Sequence, residues 1–368
     1  MRVPRRFLAG LICAAVVASV AGCRPSASSP AQEASTGNRL QGAGATFPAP
    51  FYKRLVVAYQ AIHPNVLIDY QSMGSGGGIQ AISDQTIDFC GSDAPMNAKE
   101  LERVGGAGSI IELPACAGGV TPTYNVPGLS SPLKFTGRLL CDIYLGKVSH
   151  WNDRAIAAVN PGLQLPDLAI TPVWRTDGSG TTFIFTNYLA TQSEEFATTI
   201  GFGKQVQWPF GQGGKGNEGV TAVVQQTAGG IGYVEQTYAE NNKLLSGEIQ
   251  NKAGKFIKAS PESVSAAGAE MASKMQGQIL AADIWDQPGE NVYPIASFTY
   301  LIVYKDLKNL SSKAAAQDLV SFLWWATHEG QQHAIQLGYA PLAPEVRTKV
   351  EQALKSVSYK GEKLSLGE

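Results

Sequence analysis

Three stretches of this 368-residue chain repeat one chemical design: Gly42-Ala43-Gly44-Ala45-Thr46-Phe47, Gly74-Ser75-Gly76-Gly77-Gly78 and Gly178-Ser179-Gly180-Thr181-Thr182. Each sets glycines and small hydroxyl residues immediately before a segment with amphipathic helical spacing. The first turn of a helix carries unpaired backbone N–H groups and about half a positive charge, so a helix start without bulky side chains can approach an oxyanion closely. A single glycine-rich turn is an ordinary structural device. Three of them, with Asp93 and Arg175 beside them, point to one shared anion.

The elements that must position these residues follow from periodicity. Phe51, Leu55, Tyr59 and Ile62 give helical spacing over 48–63, with the helix beginning at Thr46 or Pro48. A strand over 66–71, a helix over 76–83 and a strand over 87–89 follow. Strands are expected at 110–113 and 120–124, a helix at 136–145, and a strand at 170–174 leading into Arg175. Helices at 181–189 and 218–226 precede a strand at 231–234. A strand at 293–304 and helices at 314–327 and 343–357 complete the chain. Such alternation implies α/β architecture with helices covering mostly parallel sheets, in which ligands collect where strand ends meet helix starts. About 330 residues beyond position 37 exceed what one core usually serves, so two domains are expected.

The first residues indicate export. Arg2, Arg5 and Arg6 precede an apolar run over 7–20 that is too short for a comfortable membrane span. Residues 1–22 therefore read as a signal peptide, and Val20-Ala21-Gly22-Cys23 resembles a bacterial lipobox in which Cys23 is lipidated. Residues 23–37, rich in Ser, Ala and Pro, read as a lipid-anchored tether. The body then sits in the periplasm or cell envelope, held to a membrane by its anchor only. Cleavage before Cys23 leaves 26 basic against 30 acidic side chains, a net charge of −4, which advertises no nucleic-acid partner. The four histidines show no zinc-ligand spacing and there is no C-x-x-C, so no metal or cofactor is expected. Of Cys90, Cys116 and Cys141, the first two are the pair that export would allow to form a disulfide, with buried free thiols as the alternative.

The motifs in order, Gly42 to Pro50, Gly74 to Gly78, Ser92-Asp93-Ala94-Pro95 and Arg175 to Thr181, closely resemble the periplasmic phosphate-binding proteins of bacterial high-affinity phosphate import. The similarity continues through Gly211-Gln212-Gly213-Gly214-Lys215-Gly216-Asn217 and Gly230-Ile231-Gly232-Tyr233-Val234-Glu235. The resemblance implies a two-lobed periplasmic binding protein fold, each lobe a mostly parallel sheet flanked by helices, with a hinge the chain crosses twice. Residues 38–124 and 296–368 would form lobe I and 125–295 lobe II. It implies a monomer that binds inorganic phosphate and delivers it to the permease of an ABC transporter.

Carried over by position, the phosphate ligands fall on Thr46, Phe47 through its N–H, Ser75, Asp93, Arg175, Ser179, Gly180 through its N–H, and Thr181. Asp177 would support Arg175 from behind, holding the guanidinium flat. Each residue also has a plainer reading. The hydroxyls could be helix caps, Asp93 a turn residue, and Arg175 with Asp177 a structural ion pair. Cys90, Gly78 and Trp174 depart from the family beside ligand segments, and Trp174 bears on the outer field of the cleft.

Asp93 carries the discrimination. A carboxylate repels an anion unless that anion still has a proton to donate, as hydrogen phosphate does and sulfate does not. Two other functions fit the residues less well. A phosphate-ester hydrolase lacks support, because neither Ser75 nor Ser179 sits in G-x-S-x-G and Gly213-Gly214-Lys215 does not complete a phosphate-binding P-loop. A binding protein for another tetrahedral oxyanion is opposed by Asp93.

Overall fold

The computed structural model describes residues 37–269 and 271–366. The expected signal peptide, Cys23 and the tether up to residue 36 lie outside the described residues. Eight strands build one curled sheet: β1 (Asn38–Gly44), β2 (Val66–Ser72), β3 (Phe89–Ser92), β4 (Ile110–Tyr124), β5 (Thr171–Arg175), β6 (Gln212–Gly214), β7 (Gly230–Glu235) and β8 (Ala296–Tyr304). Their order is β2-β1-β3-β8-β4-β7-β5-β6, and the short strand Leu245–Ser246 adds to β4.

Pairing is parallel among β1, β2 and β3 and again among β5, β6 and β7. At the centre β8 runs antiparallel to β3 and β4, and β4 antiparallel to β7. Each half thus has a parallel outer part, as expected, but the two halves are joined by antiparallel strands that periodicity did not reveal. The architecture is α/β, with helices such as Ala49–Ile62, Ser75–Ser83, Gly180–Gln192 and Gly216–Gln226 following strand ends.

β4 is the principal departure from the sequence reading. Two strands were expected, at 110–113 and 120–124; one strand of 15 residues, buried throughout, is found. The reason is a bulge. Opposite it, Thr299 faces Cys116 while Tyr300 faces Pro114, leaving Ala115 as the extra residue. A bulge disrupts the ladder locally and is where a proline, lacking its N–H, is tolerated within a sheet. β4 pairs with β8 from Ile110 to Gly119 and with β7 from Val120 to Tyr124, so a single strand serves both halves.

The glycines of the first segment belong to the end of β1, and the helix that follows starts at Ala49 with Pro48 at its N-cap, in line with a start at Pro48. Gly42 is small because the Phe89 ring lies over it, where a Cβ would come within 2.1 Å of the ring.

Two aromatic groups anchor the halves. Phe51 and Tyr339 pack at 5.8 Å between ring centroids beside Phe47, and Phe185 stacks on Tyr233 at 4.4 Å beside Tyr144 and Trp208. Burying each such ring contributes about 1.5 to 3 kcal/mol relative to leaving it exposed. Among the described residues no helix is long and apolar enough to cross a membrane.

Cys90, Cys116 and Cys141 are all free and buried. The pairing considered for Cys90 and Cys116 is not formed. Burial pushes the thiols of Cys90 and Cys116 well up and that of Cys141 to about 12, which leaves almost no reactive thiolate at neutral pH. All three are expected to resist alkylation in the native protein and to be labelled completely after unfolding without reductant. Peptide mapping checks this, and an unlabelled Cys90 and Cys116 pair would contradict it.

Candidate functional site

The C-terminal ends of β1, β2, β3 and β5 converge on the starts of three helices. β1 ends at Gly44 and runs into Thr46; β2 ends at Ser72 before the helix that opens with Ser75; β3 ends at Ser92 before Asp93. From the other half, β5 ends at Arg175, and the helix Gly180–Gln192 opens just beyond it. Thr46, Ser75, Asp93, Arg175, Ser179 and Thr181 are all buried despite their polarity. Every residue placed in the site from the sequence lies in or beside this region, and most are tied together by hydrogen bonds.

Ser75 is the first link between the halves. Its Oγ accepts from the N–H of Gly180 at 3.1 Å and from the N–H of Asp93 at 3.2 Å, and lies 3.4 Å from Asp93 Oδ2. Asp93 Oδ1 accepts from the Thr299 hydroxyl at 2.8 Å. Burial pushes the Asp93 carboxyl up to about 7; the Thr299 hydrogen bond, the charge of Arg175 and the Ser75 hydroxyl oppose the rise. The carboxyl is 1 % exposed, so these few groups decide its ionisation.

Arg175 is gripped along one edge. Its Nε donates to Asp177 Oδ1 at 2.8 Å and its Nη2 to Oδ2 at 2.5 Å, a bidentate pair, while Nη1 donates to Thr181 Oγ1 at 3.3 Å. The N–H of Gly216 reaches Asp177 Oδ1 at 3.0 Å. Against the desolvation that burial imposes, the hydrogen bonds and charge of Arg175, with this N–H, hold Asp177 below the usual carboxylate range. Asp177 therefore fixes the plane of the guanidinium from behind.

The peptide between Thr46 and Phe47 is held from its carbonyl side. Thr46 O accepts from the Tyr238 hydroxyl at 2.6 Å. In a planar trans peptide the N–H points opposite to the carbonyl, so this bond orients the N–H of Phe47. The Phe47 carbonyl in turn accepts from the Tyr339 hydroxyl at 2.7 Å.

Among the four hydroxyl residues, the plain capping reading describes Ser179 alone, whose Oγ accepts from Thr182 N at 2.9 Å. Ser75 and Thr181 lie inside the first turns of their helices, and Thr46 caps no helix that follows it in the chain but accepts a first-turn N–H of the distant helix Gly216–Gln226. Trp174 turns its indole N–H to the Phe210 carbonyl.

Several polar residues at the site escaped the sequence reading. Asn217 bonds both Thr46 and Thr181; Thr299 bonds Asp93; Tyr238 bonds Thr46. Glu235 is wholly buried and accepts from Thr237 N and Oγ1, with the Tyr339 hydroxyl at 3.1 Å. A signal existed for Asn217: the run Gly211 to Gly216 precedes the helix Gly216–Gln226 just as the other glycine runs precede theirs. Thr299 and Tyr238 lie in β8 and in the helix Gln236–Asn241 with nothing local to mark them.

Residues 29–325 match the model of the PBP superfamily domain. The chain is 40% identical over 356 residues to the phosphate-binding protein PstS of Xylella fastidiosa (strain Temecula1), covering 93% of this chain and 95% of that one. It is 42% identical to the PstS of Pasteurella multocida (strain Pm70), covering 86% and 90%. The chain belongs to the PstS phosphate-binding protein family. Its fold is the two-lobed periplasmic binding protein fold, and the solved phosphate binding protein from Stenotrophomonas maltophilia superposes with a TM-score of 0.65 at 18% identity, covering 85% of this chain and 93% of that one. As a member of the PstS family the chain is a binding protein, not an enzyme.

The buried acids make stability depend on pH. Glu112, with Met96 N–H on one carboxyl oxygen and no partner on the other among the described residues, is also pushed up to about 7 by burial. A carboxyl raised in the folded state contributes most when protonated: in full below the unfolded value near 4, and lost as pH rises through the folded value. Protein dialysed free of anions is therefore expected to resist urea better near pH 5 than near pH 8, by on the order of 1 to 2 kcal/mol for each of Asp93 and Glu112. Glu112→Gln is expected to flatten that slope. Urea midpoints across the range check this, and a wild-type midpoint that rises with pH would contradict it.

Proposed function

We propose that this protein binds inorganic phosphate between its two lobes and delivers it to the membrane permease of an ABC importer. The ligand set is Thr46, the N–H of Phe47, Ser75, Asp93, Arg175, Ser179, the N–H of Gly180 and Thr181, with Asp177 steadying the arginine. The observation that carries the reading is Asp93: a buried carboxyl set among hydroxyl, amide and guanidinium donors. Such a pocket neutralises an anion with donors and still requires that the anion supply one proton. Hydrogen phosphate supplies it. Sulfate, with the same shape, would set acceptor against acceptor at a cost of about 1 to 3 kcal/mol or more.

Lobe I comprises 38–124 with 296–368 and lobe II comprises 125–295. The exchange of β4 from β8 to β7 at Gly119 and Val120 supports a crossing close to that boundary. Export by residues 1–22 and lipidation at Cys23 would keep a monomer at the membrane where the permease lies. Enclosure by two lobes removes water, which strengthens each charge-assisted hydrogen bond and suits tight binding.

Calorimetric competition among phosphate, arsenate and sulfate is the direct test. Wild type is expected to bind phosphate and arsenate and to exclude sulfate. Asp93→Asn, whose amide donates where the carboxylate accepts, is expected to narrow the preference for phosphate over sulfate by about 10- to 100-fold. An unchanged preference would sink the discrimination mechanism, and absence of phosphate binding by the wild type would sink the function.

A further inference from the structure

Asn217 lies on the helix Gly216–Gln226 and is fully buried at its first turn. Its Nδ2 donates to Thr46 Oγ1 at 2.7 Å and to Thr181 Oγ1 at 3.1 Å, one hydrogen to each half of the site. Its Oδ1 accepts from the N–H of Glu235 at 2.9 Å. A backbone N–H can only donate, so that bond dictates which end of the amide is oxygen and leaves the NH2 facing the two threonines.

A hydroxyl has one hydrogen to give and two lone pairs with which to accept. Thr46 Oγ1 accepts from both the backbone N and the Nδ2 of Asn217. Thr181 Oγ1 accepts from Asn217 Nδ2 and from Arg175 Nη1. Both lone pairs of each hydroxyl are thereby taken, and neither hydroxyl hydrogen goes to a protein acceptor among the described residues. What remains to each is to donate.

We infer that Asn217 is a positioning residue: it forces the hydroxyls of Thr46 and Thr181 to act solely as donors toward the bound anion, which leaves Asp93 as the acceptor that faces it. This rests on the phosphate reading above and adds to it a group that sets hydrogen direction without touching the ligand. It also gives specificity a second support. Without Asn217, either hydroxyl could turn and accept from a ligand proton, and the count of protons the site demands would no longer be fixed at Asp93.

Equilibrium dialysis with radiolabelled phosphate on the full chain tests the inference through a double-mutant cycle. Asn217→Ala is expected to weaken phosphate binding about 10- to 100-fold, and to have little further effect when Thr46→Val and Thr181→Val are already present. Because alanine also strips the partner from the Glu235 N–H, Asn217→Asp is measured beside it. Aspartate keeps that acceptor but offers oxygen to the threonines, so both hydroxyls turn toward it and away from phosphate. Its expected loss exceeds that of alanine in the threonine background and shrinks in the valine background, where only its charge remains. Losses that are equal in the two backgrounds, or unchanged affinity in both variants, would overturn the inference while leaving phosphate binding intact. Failure of the wild type to bind phosphate would overturn the phosphate reading and this inference together.

Discussion

The bond from the Gly180 N–H to Ser75 Oγ joins a helix start on one half of the sheet to a helix start on the other, and it lies against the Asp93 carboxyl. That carboxyl is where the largest electrostatic demand falls. Removing a charged group from water is expensive unless donors replace the lost hydration. Thr299, Ser75 and the charge of Arg175 replace part of it, and burial still lifts the group to about 7. The site is therefore balanced so that Asp93 readily ionises or protonates near neutrality. A ligand that arrives with a proton and a charge can share the first and meet the second with the surrounding donors.

Arg175 keeps that balance from collapsing into a simple ion pair with Asp93. Two of its three nitrogens are committed to Asp177, itself held by the Gly216 N–H. The guanidinium cannot swing to neutralise Asp93 without breaking a bidentate pair, so positive and negative groups persist side by side in one enclosure. Another ion pair, between Lys204 and Glu100, lies at low exposure. The Lys204 carbonyl accepts from the Ser179 N–H, which ties this pair to a loop of the site.

Much of this was legible in the sequence because chemistry and local structure coincide there. A hydroxyl or glycine at a strand end before an amphipathic helix is visible without coordinates, so Ser75, Ser179, Gly180 and Thr181 were placed beside Asp93 and Arg175, and they do meet. What was hidden depends on distant pairing. The stretch of β4 between the two expected strands is held by pairing with β8 across the bulge opposite Thr299 and Tyr300, which no local pattern reveals. Thr299 is one polar residue in a buried strand, and its value lies wholly in a partner 206 positions away. Asn217 sits in a glycine run of the right kind, but what sets it apart is that it reaches two threonines 135 positions apart, Thr46 and Thr181.

The glycines themselves need a different explanation from the one their sequence suggests. They read as openings through which an anion approaches backbone N–H groups, yet their immediate neighbours are protein. A Cβ on Gly74 would fall 2.2 Å from Asp177 Oδ2, one on Gly76 would fall 2.9 Å from the Cα of Gly178, and one on Gly180 would fall 2.5 Å from the Asp93 Cβ. Real Cβ atoms do not approach so closely, and the opposing atoms are mostly backbone or a carboxylate already held in place. Small residues at these positions first permit the two halves of the site to meet, with Gly76 N–H bonded to the Gly178 carbonyl at 2.8 Å. Close approach to an anion is the consequence, since the donors that line the site reach full density only when both lobes contribute. A side chain at any one of them would hold the lobes apart, so the hydrogen bonds that cross the boundary would weaken together rather than one at a time.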